Sequence, residues 1–544
     1  MGFFKFITSG RLLHKRFNQY RILIRTKSDG GPSSPCTETP GSCGAGEGSS
    51  QEQGKKKGLV IGVHEKNGTF ELTGPAQEID QMSNGKLAQH LSELSGDMKL
   101  GKAFVLSDLV PEYSTVALAS VGPADAGFNK LEELDEGREN IRWGVGAGAA
   151  AALAQGARVV AVAAPAHCDA AAEAATLAAF GFKNFKQQKR KDTVVPFGTV
   201  DMELWTAGRT RARAQNWARY LSDMPANKMT PSDFAQAAFD VLCPLGVKVT
   251  ARNRAWIEAN KMEAFLMVAR GSCEEPILLE CEYNGGGSQS NVLVVAKGVT
   301  FDSGGLCLKN RSDMKENRGS MAGAAVTLAA IRALAEAKER VNVCAVIPLC
   351  ENMISGQCMK VGDVVRALNG LSIQIEDTDM EGRLMMADAL VYGQNVYKPG
   401  LVVDVATLTK GVLLAMGGGA FGSFSTSGRV WGALRGAGAC AGDRPWRLPL
   451  WNYYRDQITQ DMAVDLRNRG SGKATPCIGA AFLRQFVCGP WLHLDITGVG
   501  KLSHAPAPPY LDPRRMSGRP TRTLAQFLAE LRNLEKEEEP CKPC

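Results

Sequence analysis

The sequence predicts an α/β fold in two unequal domains, and three observations carry that prediction. Strand-like and helix-like runs alternate along most of the chain. The alternation pauses once, in a helical stretch from about residue 208 to 226 with no strand inside it. Beyond that stretch the strands are near-continuous β-branched runs, the pattern of a sheet covered by helices on both faces. A chain of 544 residues has room for such an arrangement and for large cores.

Residues 1–28, "MGFFKFITSGRLLHKRFNQYRILIRTKS", interleave Phe3, Phe4, Phe6, Leu12, Leu13 and Phe17 with seven Lys and Arg and no acid. That composition reads as a mitochondrial transit peptide and predicts location in the matrix. Residues 29–57 are Gly, Ser, Pro and polar residues with nothing to bury, and read as a disordered linker. Residues 58–207 form the first α/β domain, with strands "GLVIGV", "TVALASVG" and "ARVVAVAAP" and helices "SNGKLAQHLSEL" and "GAGAAAALAQGA". The glycines of "WGVGAGAAAALAQG" are expected to open a helix and to allow its close packing. No strand leads straight into them, so a dinucleotide-binding loop is the weaker account.

Residues 208–240 are linking helices, and "TPSDFAQAAFDVLCPLG" carries a capped start and a glycine stop. Residues 241–534 form the larger domain, with "NVLVVAKGVTF", "VNVCAVIPL", "LSIQI", "LVVDVATLT" and "WLHLDIT" as strands. Helical period marks "MAGAAVTLAAIRALAEAKE", "RLMMADALVYGQ" and "AQFLAELRNLEKEEE". Residues 535–544 are a tail with Cys541 and Cys544, open to crosslinking rather than a convincing zinc or redox motif.

Composition narrows the function. The formal net charge is +7, but the leader holds it all. Removing its seven cations from the 63 basic residues leaves as many as the 56 acidic ones. A neutral body excludes nucleic acid as partner, since phosphate attraction needs clustered basic surface. No uninterrupted apolar run reaches the roughly eighteen residues of a membrane span, so no membrane insertion is expected. Fifteen cysteines in 544 residues are too dilute for a disulfide scaffold, and Cys344, Cys350 and Cys358 read as reduced core thiols.

Charge gathers instead where strands should end. In "VVAKGVTFDSGGLCLKNRSD", Lys297 follows a buried run, Asp302 comes five residues later, and Lys309 seven after that. In "QIEDTDMEGRLMMADAL", Glu376, Asp377, Asp379 and Glu381 crowd together ahead of Arg383. Asp379 and Glu381, two apart, are expected to extend the same way off a strand end. None of the six histidines falls in these segments, so oxygen ligands for Mg²⁺, Mn²⁺ or Zn²⁺ are the matching chemistry. A carboxylate shared between two ions is the usual way to hold a two-metal hydrolytic site.

"KGVTFDSGG", "PLCENMISG", "GDVVRALNG", "DTDMEGRL", "DVATLT" and "GRPTRTLAQFLAEL" together resemble the leucine aminopeptidase (cytosol aminopeptidase) family from about residue 58 to 533. The resemblance implies a macro-like N-terminal domain, a catalytic C-terminal α/β/α domain with a mixed sheet, a homo-hexamer and a peptide substrate. It implies Lys297, Asp302, Asp379 and Glu381 as metal ligands for Mn or Zn, and Lys309 as the catalytic lysine. Arg383 matches an arginine that holds bicarbonate, and Thr407 and Leu408 match substrate contacts. Departures from the family pattern qualify it. Ser320 stands where the family has another aspartate ligand; the residue is expected to cap the following helix while binding metal poorly, leaving fewer than two ions tightly bound. Asp377 replaces an asparagine, and Lys410 replaces a glycine beside the substrate. Met380, Thr497 and Gly500 also depart from the family. These changes predict an impaired two-metal site. They resemble the divergent sperm leucyl-aminopeptidases of insects, structural proteins of the sperm mitochondrial derivative. The alternative is an active mitochondrial metal-dependent aminopeptidase, favoured by the retained Lys309 and Arg383.

Overall fold

A computed structural model describes residues 56–531, except 73, 165, 188–191, 288–289 and 502–506. The expected leader, nearly all of the expected linker and the cysteine tail lie outside the described residues. All described residues fall in one compact unit, Ser49–Cys544.

Two sheets build it. The first holds β1 (Lys57–Lys66), β2 (Thr69–Leu72), β3 (Ala103–Leu106), β4 (Thr115–Pro123), β5 (Val159–Ala163) and β6 (Thr193–Pro196). Its order is β3-β4-β1-β5-β6, with β2 returning antiparallel on β1. Strands β4 and β5 flank β1 in parallel, and Leu59, Val60, Ile61 and Val63 of β1 are fully buried between them.

Helix α1 (Glu136–Ala154) corrects the expected helix start. Its cap is Asp135, whose side chain accepts from the Arg138 amide, so the glycines lie mid-helix rather than opening it. Close packing does account for them. A Cβ on Gly144 would fall 2.3 Å from the Ser120 carbonyl, and one on Gly148 would fall 2.5 Å from Val60 Cγ1. Helix α2 (Cys168–Ala178) lies beside α1. Helix α3 (Met202–Asp223), capped by Asp201, is the long connector, and α4 (Pro231–Leu242) has the expected capped start, formed as a capping box of Thr230 and Asp233.

The second sheet holds β7 (Lys248–Arg252), β8 (Ile277–Asn284), β9 (Val292–Ala296), β10 (Gly298–Asp302) and β11 (Asn342–Asn352). Strands β12 (Leu401–Ala406), β13 (Phe421–Ser425), β14 (Pro445–Arg447) and β15 (Trp491–Asp495) complete it. The order is β14-β13-β15-β12-β9-β11-β8-β7, with β10 also on β11. The centre is parallel, β8 and β13 join it antiparallel, and β14 runs parallel to β13 at the edge, a mixed sheet as expected. "NVLVVAKGVTF" is two strands that break at Lys297, and "LSIQI" lies outside this sheet. Ser372–Gln374 pairs instead with Val364–Arg366 and Leu466–Arg467 in a small sheet. A three-residue strand such as Ser372–Gln374 can satisfy an edge ladder as readily as a core one, so pattern alone misplaced it.

Helices α5 (Ala322–Ala337), α6 (Glu381–Tyr397), α7 (Lys410–Met416), α8 (Thr475–Arg484) and α9 (Thr521–Glu530) surround the second sheet. Helix α3 packs on both α2 and α5, which makes it the bridge between the two halves. The helical stretch Arg311–Ala337 contains a window long and apolar enough on average to cross a membrane, although Arg332 and Glu336 interrupt its apolar run as expected. That window is 83% buried inside the protein, as a core helix is. Cys344, Cys350 and Cys358 are buried free thiols.

Buried ion pairs join the halves. Glu173 of α2 accepts from Arg142 of α1, Arg211 of α3 and Arg522 of α9 at 2.7–2.8 Å. Tyr510 and Trp143 donate to Glu139, and Arg142 donates to the Cys440 carbonyl.

Candidate metal centre

The parallel strands β9, β10 and β12 end on one side of the second sheet, where an open α/β sheet ordinarily receives its ligand. Lys297 occupies the break after β9; its amide donates to Val405 and its ammonium to the Thr407 carbonyl at 3.1 Å. Asp302 closes β10. Its Oδ1 accepts from the Gly304 amide at 2.9 Å and from Asn352 Nδ2 at 3.0 Å. Asp379 and Glu381 arrive differently from the expected strand end. A turn at Asp377–Met380 intervenes, Asp377 accepts from the Asp379 amide, and Glu381 is the first residue of α6. A carboxylate at a helix N-terminus also gains from the helix dipole.

Carboxylate oxygens of Asp302, Asp379 and Glu381 all lie within 4.8 Å of one another. Two lysines stand among them. Lys297 Nζ is 2.6 Å from Glu381 Oε1, and Lys309 Nζ is 2.9 Å from Asp302 Oδ2 while also pairing with Asp379 Oδ1. Burial opposes the charge on Asp302, but Lys309 and Lys297 outweigh it and hold its pKa below the ordinary value. Burial opposes the charge of Lys309 too, and Asp302, Glu381 and Asp379 more than restore it, raising its pKa. The remaining acids stay frustrated. Burial and the neighbouring Asp302 charge push Glu381 up to about 7 and raise Asp379 as well, despite both lysines. Asp379 Oδ1 and Glu381 Oε1 are buried and accept no well-formed hydrogen bond, meeting only the ammonium groups. Unrelieved repulsion among three oxygen donors is what a divalent cation removes, so these residues fit one.

Arg383 is fully buried, two residues along α6. It donates to the Asn468 and Thr475 carbonyls while its Nε has no partner among the described residues. Burial lowers its pKa to about 10 against the pull of Asp495, Asp377 and Glu381. Thr407 is buried at the end of β12, and its Oγ1 donates to the Ser320 carbonyl at 2.8 Å. Leu408 lies over Gly382 and Gly479, where any Cβ would approach it to about 3.0–3.2 Å.

The departures also have places. Ser320 is 1% exposed in a 3₁₀ turn, Lys315–Met321, which packs on β10. It is not the cap of α5, whose N-cap is Met321 without a side-chain bond; one turn of tighter helix displaces the start. Asp377 meets Arg469 at 3.8 Å, and Lys410 is exposed at the start of α7, 3.2 Å from Asp313. The crowded acid Glu376 has its own cation, Arg467 at 3.3 Å.

Several site residues escaped sequence reasoning. Asn352 orients Asp302 and the Thr378 carbonyl, and lies in the quoted "PLCENMISG", where a polar residue ending a buried strand was the available signal. Asn468 binds the backbone of Glu376 and Asp377 and accepts from Arg383; nothing local in "LRNRGSG" marks it. Lys501 donates to Asn317 Oδ1 at 2.9 Å, and burial together with Lys297 and Lys309 lowers its pKa to about 8.

A family model described as "Cytosol aminopeptidase family, catalytic domain" matches residues 216–525, and its N-terminal counterpart matches residues 60–189. The cytosol aminopeptidase of Xenopus tropicalis is 41% identical over 487 residues, covering 88% of this chain and 93% of that protein. The Homo sapiens cytosol aminopeptidase is 39% identical over 482 residues, 87% and 92% of the two chains. Among solved structures, the bottromycin maturation enzyme BotP in complex with Mn superposes with a TM-score of 0.74 at 27% identity, covering 87% of this chain and 99% of that one. A mutant of tomato leucine aminopeptidase gives 0.74 at 27% identity, with 88% and 94% covered.

Proposed function

The chain belongs to the cytosol aminopeptidase family, and from that premise we propose that it is a metallo-exopeptidase homologue with an impaired two-metal site. Ser320 carries the proposal. It is a neutral hydroxyl, buried in the turn beside Thr407 and β10, where the family resemblance places a carboxylate ligand. Asp302, Asp379 and Glu381 would hold one divalent ion, Mn or Zn, firmly; a second would be weakly bound for want of a further acid. An ion held there supplies Lewis acidity toward a scissile carbonyl. The protein's own part is positioning and charge. Lys309, 18% exposed beside Asp302 and Asp379, would stabilise negative charge developing on the carbonyl oxygen. Arg383 keeps a free Nε donor for an anion such as bicarbonate. Thr407 and Leu408 would line the peptide's path, and Lys410 would add a cation to it.

The proposal extends to a hexameric, mitochondrial protein whose main role is structural, in sperm mitochondrial derivatives; the basic leader and the altered site residues support it. The second reading is an active mitochondrial aminopeptidase, favoured by the intact Lys309–Asp302 pairing and by Arg383. Leucine-amide hydrolysis with added Mn²⁺ or Zn²⁺ separates the two. The impaired site gives slow turnover that Ser320→Asp accelerates; brisk turnover in the unmutated chain selects the second reading. Deleting residues 1–28 should abolish mitochondrial import, and light scattering reads the assembly.

A further inference from the structure

Lys501 follows the short helix Thr497–Gly500 at the end of β15, on the side of the sheet where Lys297 and Asp302 sit. Its stem lies against the turn that carries Ser320: a Cβ on Gly319 would come within 3.8 Å of Lys501 Cγ. Its head is held from that same turn. Asn317 is buried, its Nδ2 donates to the Asp313 carbonyl at 3.0 Å, and so its Oδ1 is left to accept from Lys501 Nζ. A neutral amide is thus the partner of this partly buried ammonium; among the described residues no carboxylate lies within ion-pair distance of it. Lys297 and Lys309 repel it more strongly than Asp302 and Glu381 attract it.

A partly buried cation whose hydrogen-bond partner is a neutral amide costs free energy that an incoming anion recovers. The same group rejects a second cation and gains nothing from an apolar side chain. We propose that Lys501, positioned by Asn317, is a specificity residue that selects peptides bearing a carboxylate side chain next to the scissile bond, and disfavours those bearing Lys or Arg there. This rests on the reading of the metal centre as a peptide cleft. The carboxylate can belong to the first residue of the peptide or to the second, and the test separates them.

Non-cleavable reduced-amide dipeptides Glu-Leu, Leu-Glu, Leu-Leu and Lys-Leu are titrated calorimetrically into the Mn²⁺-supplemented full chain. One acidic dipeptide should bind at least about tenfold tighter than Leu-Leu, the scale of one charge-assisted contact, and Lys-Leu weaker still. Which acidic dipeptide gains identifies the position. Lys501→Met should erase the preference, whereas Lys501→Arg should keep it. Asn317→Asp, which supplies the missing acid, should erase it without removing the lysine. Equal binding of acidic and Leu-Leu dipeptides, or a preference that survives both Lys501→Met and Asn317→Asp, overturns the proposal while the cleft reading stands. Failure of all four dipeptides to bind overturns both.

Discussion

The ammonium of Lys297 lies 2.6 Å from Glu381 Oε1, and both side chains are buried. Lys297 sits at the break between β9 and β10, Glu381 begins α6, and the same ammonium donates to Thr407 at the end of β12. One cation therefore ties two strand ends and a helix start together and offsets part of the charge of the acids around it. Removing it leaves Glu381 and Asp302 facing each other.

Lys297→Met should accordingly lower stability by about 3–5 kcal/mol in metal-free buffer, the usual cost of orphaning a buried charge. Urea unfolding reads this directly. A loss under about 1 kcal/mol, the scale of an exposed pair, would contradict it.

Glu173 makes a parallel case between the two halves. Burial opposes its charge, but Arg142, Arg211 and Arg522 hold its pKa well below the usual range. Glu173→Gln should cost about 3–5 kcal/mol at neutral pH. A depressed carboxylate contributes stability above its unfolded pKa, here 4.5, and loses it as pH falls toward the folded value. The gap between wild type and variant should therefore narrow below about pH 4.5. A gap independent of pH would count against the ionised network.

Asp388 titrates with the opposite sign. It lies inside α6, wholly buried, and accepts from the Phe265 and Leu368 amides at 3.0 and 2.8 Å. Burial still outweighs those bonds and pushes its pKa up to about 7 from 3.8. A raised acid stabilises the fold fully below its unfolded pKa and loses that contribution as pH rises through the folded one. Thermal midpoints should show Asp388→Asn less stable at pH 4, through one unsatisfied amide, with the deficit shrinking toward pH 7.5. A constant deficit would refute the assignment.

Gly144 tests the close approach of α1 to its sheet. Alanine is better than glycine in a helix by about 1 kcal/mol, yet here its Cβ would fall 2.3 Å from the Ser120 carbonyl. Gly144→Ala should destabilise by about 1–3 kcal/mol despite that gain in propensity. A stabilised variant would show that the helix can shift away freely.

Much of this was legible in the sequence because burial on both faces writes long β-branched runs, as in Val292–Ala296 and Leu401–Ala406. The metal cluster was legible because four of its five charged residues sit within a few residues of a strand or helix end. Local pattern failed where a partner distant in sequence decides. Ser372–Gln374 is placed by Leu466–Arg467, some ninety residues on, and the start of α1 by one capping aspartate in a run of charges. Lys501 and Asn317 are 184 residues apart, so neither could announce the other.

Ser320, as proposed above, withholds a ligand from the second metal position. Manganese bound per subunit, measured by elemental analysis after gel filtration in metal-free buffer, tests it most directly. One ion is expected in the unmutated chain and two in Ser320→Asp. Two retained ions in the unmutated chain, or an unchanged single ion in Ser320→Asp, would contradict it.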